Sequence, residues 1–103
     1  MSKTIQKGTI AEQSVIKDLL LQDFTIFRPI DHNSKFDIVV FKNNKFISVQ
    51  VKYGSIKDKL ITGSCRTTSY SGVYTYTKYD FNYLAIYDHI NDKCYYVPSK
   101  YIK

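Results

Sequence analysis

Residues 36–53 hold two apolar segments on either side of Asn43-Asn44, and no other stretch restricts the fold so tightly. Phe36-Asp37-Ile38-Val39-Val40 is an apolar run with one acid in it. Val49-Gln50-Val51-Lys52 alternates apolar and polar residues. Strand side chains alternate faces, so Val49 and Val51 share one face while Ser48, Gln50 and Lys52 share the other. Asn43-Asn44 is a turn dipeptide, which predicts a hairpin joining residues 35–42 to residues 45–53. That hairpin aims an acid, an amide and a lysine at one patch of an otherwise hydrophobic sheet. Burying such groups is costly unless something compensates them. A bound cation and a phosphate would do so.

The rest of the chain supplies the frame. In residues 8–22, Ala11, Val15 and Leu19 recur at helical spacing, as do Ile16 and Leu20. Thr9 with Glu12 three residues on has the pattern of a capping box. Asp23 ends the helical pattern, and residues 24–28 read as a strand stopped by Pro29. Residues 30–35 form a polar loop, 54–59 another loop, and 60–68 a strand. Residues 69–79, rich in Ser, Thr, Tyr and Gly, fit either an exposed ribbon or an irregular loop. Residues 83–89 and 93–98 are strands around a turn at 90–92, and residues 99–103 begin a short terminal helix. This order predicts an α/β fold, a central mixed β-sheet with an N-terminal helix packed on it.

A chain of 103 residues is expected to form one domain. Its net charge of +6 fits either a polyanionic partner or a solvated basic surface. Cys65 and Cys94 are too few for a disulfide framework or a zinc site, and both are read as reduced. Met1-Ser2-Lys3-Thr4 has no apolar signal core, and no segment approaches membrane-spanning length. The expected compartment is the cytoplasm, including the nucleoid, with no membrane partner. Ten tyrosines against no tryptophan suit strand faces, with stacking on bases as the other use.

Glu12 has Val15, Ile16 and Leu19 three, four and seven residues after it, which places it beside the core-facing stripe. It reads as a capping carboxylate, as an acid pointing over the sheet toward Asp37, or as both. Alone, Asp37 is a strand-end acid, and Gln50 with Lys52 is the solvent side of an edge strand. In order, a helix acid, a strand acid and a polar-x-Lys suit metal-assisted phosphodiester hydrolysis. Mg²⁺ prefers carboxylate and carbonyl oxygens with waters completing its shell. Asp37 would be the direct ligand, joined by the Gln50 side-chain oxygen, the Val51 carbonyl and Glu12. Lys52 would orient or activate the attacking water, or neutralise charge developing on phosphate.

These residues resemble the PD-(D/E)xK nuclease superfamily, most of all its group I intron homing endonucleases and more distantly the archaeal Holliday-junction resolvases. The resemblance runs through Lys7-Gly8-Thr9-Ile10-Ala11-Glu12, Phe27-Arg28-Pro29, Phe36-Asp37-Ile38-Val39-Val40 and Phe46-Ile47-Ser48-Val49-Gln50-Val51-Lys52. It continues in Tyr83-Leu84-Ala85-Ile86-Tyr87 and Tyr95-Tyr96-Val97-Pro98. It implies a restriction-endonuclease-like core of α-β-β-β-α-β plan, Mg²⁺ dependence with Mn²⁺ as a substitute, and double-stranded DNA as substrate. It also implies a homodimer or homotetramer, since cutting both strands takes two sites. By the same resemblance Glu12 matches the helix acid, Asp37 the motif aspartate, Gln50 the (D/E) position and Lys52 the motif lysine. The sequence departs from the pattern where Phe36 precedes Asp37 in place of proline. It departs again at Gln50, an amide in place of an acid, which weakens the pull on a cation and implies one metal ion.

A nuclease this short reads DNA through loops. The candidates are Ser64, Arg66, Thr67 and Thr68, with Arg66 suited to a guanine edge or a phosphate and the hydroxyls to phosphates; the same residues also read as a polar strand with one solvated arginine. Lys7 is either a further phosphate contact or an ordinary surface lysine. His32, in the loop before Asp37, is either a DNA-facing or a solvated histidine, and His89, beside a turn, is read as structural. The alternative to a metal-dependent DNA endonuclease is a catalytically silent nuclease-fold protein of phage or plasmid origin that binds DNA or a host protein.

Overall fold

In the computed structural model, residues 3–31, 34–57, 60–62, 66–69, 72–75 and 80–101 are described. Ala11, Val15 and Leu19 recur every fourth residue and are the buried stripe of helix α1, Lys3–Leu21. The helix starts five residues before the apolar periodicity does, because its exposed first turns consist mostly of residues that tolerate a helix without needing a core face. Thr9 therefore lies inside the helix, and its hydroxyl donates to the Ile5 carbonyl at 3.0 Å. The expected Thr9–Glu12 capping box does not form, which leaves Glu12 free of any capping duty.

The helix stops in a Schellman arrangement. Asp23 takes a left-handed φ of 68°. Its N–H donates to Leu20 O at 3.0 Å, and the Phe24 N–H donates to Leu19 O at 3.1 Å. Lys42 closes the end from the sheet, its ammonium 2.7 Å from Gln22 O and over the Phe24 ring. A cation there also suits the negative end of the helix dipole.

Strands β1 (Thr25–Phe27), β2 (Ile38–Lys42) and β3 (Lys45–Lys57) form an antiparallel meander. Asn43 and Asn44 both take positive φ, the geometry of a two-residue hairpin turn matched to sheet twist. Strand β7 (Tyr83–Asp88) pairs parallel to β3, and β8 (Lys93–Pro98) pairs antiparallel to β7. The resulting order is β1-β2-β3-β7-β8, a mixed five-strand path with α1 on one face. A 3-10 turn, Ser99–Tyr101, follows β8.

Three expectations are corrected. Residues 54–57 are not loop, because β3 runs on to Lys57 and pairs with β4 (Leu60–Thr62). The single strand expected over 60–68 is two strands, β4 and β5 (Arg66–Ser69). The latter pairs with β6 (Gly72–Thr75) as a separate two-stranded ribbon, which decides for the ribbon over the irregular loop. Between β3 and β7 the described residues contain these short strands and no second helix, so the implied α-β-β-β-α-β order is not what they show.

The sheet buries apolar residues on both faces. Ile38, Val40, Val49, Val51, Ala85 and Tyr87 meet the helix stripe. Phe81, Leu84 and Ile86, with Phe36 and Val97 against them, make a second cluster. Two polar clamps align the strands. Ser48 and Asn82 exchange hydrogen bonds of 2.8 to 3.1 Å at the start of β7, and Lys35 pairs with Asp80 at 3.3 Å.

Candidate active site

The β2–β3 ladder stops at the Ile38–Val49 pair, and Asp37 occupies the break. Its N–H donates to Val49 O at 2.9 Å. Its Oδ2 accepts the Val51 N–H at 2.8 Å, so a side-chain oxygen takes the place of the strand carbonyl that β2 no longer provides. A strand residue directs its N–H and C=O to the same side. The Val51 carbonyl is thereby turned toward the same gap.

Gln50 and Lys52 follow on β3, on the face away from the helix. Gln50 is buried, 5% exposed, next to Leu84 of β7, and Lys52 is half-buried next to Ile86. Lys52 acts on Asp37 through charge. Burial pushes the Asp37 carboxyl above the usual carboxylate range, opposed by the Val51 N–H and by the Lys52 ammonium.

Glu12 reaches the same gap from α1. With Arg28, Pro29, Asp31, Ser34, Phe36 and Asp37 it lines a cleft of about 350 Å³. Burial raises the Glu12 carboxyl, Arg28 pulls it down, and the neighbouring Asp37 pushes it up again. Of the two readings of Glu12, the one that points it toward Asp37 is what the structure has. Its cationic partner is Arg28, whose Nη2 lies 3.2 Å from Glu12 Oε1. Arg28 was absent from the sequence-derived set of site residues. Its signal was available: a half-buried acid on the core side of a helix needs a cation, and Arg28 directly follows β1 and precedes Pro29, which holds it extended.

The donor chemistry fits a hard cation. Among the described residues no three His, Cys, Asp or Glu side chains cluster as a metal site. The cleft instead offers the Glu12 and Asp37 carboxylates, which burial makes reluctant to ionise, together with Asp31, and the Val51 carbonyl is turned toward it. A cation relieves that penalty, and Mg²⁺ is commonly held by one or two carboxylates with waters in its remaining positions.

None of the expected DNA-contacting residues is among those lining the cleft. Arg66, Thr67 and Thr68 are on β5 of the separate ribbon, and Ser64 and His32 lie outside the described residues. Lys7 is on α1, with its ammonium 5.6 Å from the centre of the Tyr53 ring. Cys94 is a free thiol, and Cys65 lies outside the described residues. No helix among the described residues is long and apolar enough to cross a membrane.

Two comparisons with known proteins bear on this geometry. A family profile described as PD-(D/E)XK endonuclease matches residues 2–103. The fold is similar to that of a bacterial homing endonuclease, I-Ssp6803I, with a TM-score of 0.79 and 23% sequence identity. The match covers 96% of this chain and 71% of that one. No curated protein matches the sequence.

Proposed function

The chain belongs to the PD-(D/E)XK endonuclease family, and from that premise we propose that it is a divalent-metal-dependent endonuclease of double-stranded DNA, with Mg²⁺ as its working ion. One observation carries the reading: the Asp37 carboxylate, held by the Val51 N–H at the ladder break, shares a cleft with Glu12 and lies in the field of Lys52. Asp37, Glu12, the Val51 carbonyl and the Gln50 amide oxygen would hold the ion. Bound there, it supplies Lewis-acid stabilisation of the phosphate and lowers the pKa of a coordinated water.

The chain's own groups then have separate tasks. Asp37, tied to β3 by the Val51 N–H, would fix where the ion sits relative to the strand ends. Glu12, neutralised in part by Arg28, orients the attacking water. The Lys52 ammonium orients the attacking water or neutralises the charge that develops on the phosphate oxygens. Arg66, Thr67 and Thr68 on the ribbon, with Ser64, are the proposed groove and phosphate contacts. A homodimer or homotetramer would supply the second site that a double-strand break requires, and Mn²⁺ would replace Mg²⁺.

I-Ssp6803I is a homing endonuclease, and by likeness to it we take a site-specific double-strand cut as the first expectation. A branched-DNA resolvase is the variant within the same chemistry. Gln50 at an acid position favours a second reading, a silent binder that keeps the nuclease fold. Incubation with supercoiled, linear and four-way-junction DNA in Mg²⁺ separates these. Discrete fragments from linear DNA support the homing type, and paired nicks in the junction alone support the resolvase type. A gel shift with no product from any substrate replaces the enzyme with the binder.

A further inference from the structure

Helix α1 and strand β3 both run past the acidic gap to an aromatic stack. Tyr53 is two residues beyond Val51 on β3, on the helix-facing side. The ring of His89, the residue after β7, lies 4.5 Å from it at an interplanar angle of 12°. Tyr87 meets the Tyr53 ring edge-on at 6.2 Å. Lys7 places its ammonium 5.6 Å above the Tyr53 ring.

His89 is held there by its backbone. Its N–H donates to Gly54 O at 3.2 Å, and the buried Asp88 carboxylate ties down the following turn through Ile90 N, Asn91 N and the Asn91 side chain. The His89 side chain is exposed all the same. Lys7 is exposed too, and its ammonium pairs with no carboxylate among the described residues. A core would not need an exposed imidazole ordered this firmly beside an uncompensated cation. An anion would.

We propose that Lys7, Tyr53 and His89 form a phosphate-binding subsite for the DNA strand that the gap cuts, an inference that rests on the nuclease reading. The ammonium faces the phosphate charge, the imidazole N–H donates to a phosphate oxygen, and Tyr53 holds both in place. Spacing supports the assignment. Lys7 is five helical residues from Glu12, about 7.5 Å at 1.5 Å per residue. Tyr53 is about 7 Å beyond Val51 at ~3.3 Å per strand residue. A DNA strand advances about 3.4 Å of axis per phosphate and its backbone path is longer than that, so one laid along β3 brings a phosphate close to the cut within reach of this stack.

The test is fluorescence anisotropy of a labelled duplex with the full chain in EDTA, across a range of salt. Lys7→Gln lowers affinity and reduces the slope of log affinity against log salt by about one. His89→Ala weakens binding about threefold to tenfold. In Mg²⁺ the Lys7→Gln loss falls on KM rather than kcat, and Lys7→Arg restores the salt slope. Wild-type slope and affinity in both variants, in a protein that binds and cuts DNA, overturn the subsite alone. A wild type that neither binds nor cuts DNA overturns the nuclease reading beneath it.

Discussion

Asp37 Oδ2 accepts the Val51 N–H at 2.8 Å across the point where β2 and β3 cease to pair. One carboxylate thus serves the sheet and the cleft at once. With one oxygen it satisfies a strand donor, and its charge lies in a cleft shared with Glu12 and in the field of Lys52. The same residue holds the fold open at this point and supplies the charge for which the opening is useful.

The two duties separate by substitution. Asp37→Asn keeps an acceptor for Val51 N–H and removes a carboxylate that burial disfavours. Its melting temperature in EDTA is expected to equal or exceed that of the wild type. Asp37→Ala leaves the Val51 N–H without its partner and is expected to lose about 1–3 kcal/mol. Thermal melts of the two variants in EDTA check this. An Asn variant as unstable as the Ala variant would show that charge, not the acceptor, anchors the strand.

The acids also set a pH dependence. Both Glu12 and Asp37 are raised above ordinary carboxylates in the folded protein. Between the ordinary and the raised pKa the folded state binds more protons than the unfolded one. Their contribution to stability is therefore full below that window and lost as pH rises through it. Urea midpoints in EDTA should fall across the window and level off above it. Removing Arg28, which pulls Glu12 down, should extend the fall to higher pH and move the acid limb of the cleavage profile the same way.

Gln50→Glu places a third carboxylate at a buried position opposite Asp37. Like charges in a shared site disfavour ionisation, so the variant should melt lower than the wild type in EDTA. Mg²⁺ should raise its melting temperature by more than it raises that of the wild type. Equal shifts in the two proteins would remove Gln50 from the ion's surroundings.

Burial pushes the Cys94 thiol up to about 11, with the Asp18 charge adding to it. Only the thiolate reacts readily. Peptide mass mapping after brief alkylation near neutral pH should find Cys94 labelled far more slowly in the folded than in the unfolded protein. Equal rates would contradict the burial.

The hairpin was legible because Asn43-Asn44 and the alternation around it are local signals, and the helix core stripe was legible for the same reason. The start of α1 was not, since Lys3–Leu21 opens with turns that have no apolar stripe. Thr9 looked like a cap because sequence spacing cannot tell a cap from a mid-helix threonine bonded to Ile5. At the site, Glu12 and Asp37 could be named from the order of motifs. Their meeting in one cleft depends on how α1 packs over β3 and beside β1, and so does the Arg28 pairing. The stack of His89 on Tyr53 joins residues that only the parallel β3–β7 register brings together.

The central claim is that Asp37 and Lys52 act in metal-dependent cleavage, and plasmid DNA tests it most directly. Supercoiled plasmid is incubated with the wild type, Asp37→Asn and Lys52→Ala, in Mg²⁺ and in EDTA, with products followed over time. The account predicts cutting by the wild type in Mg²⁺ alone and a loss of at least about a hundredfold in each variant. Cutting that persists in EDTA, or in both variants, would contradict it.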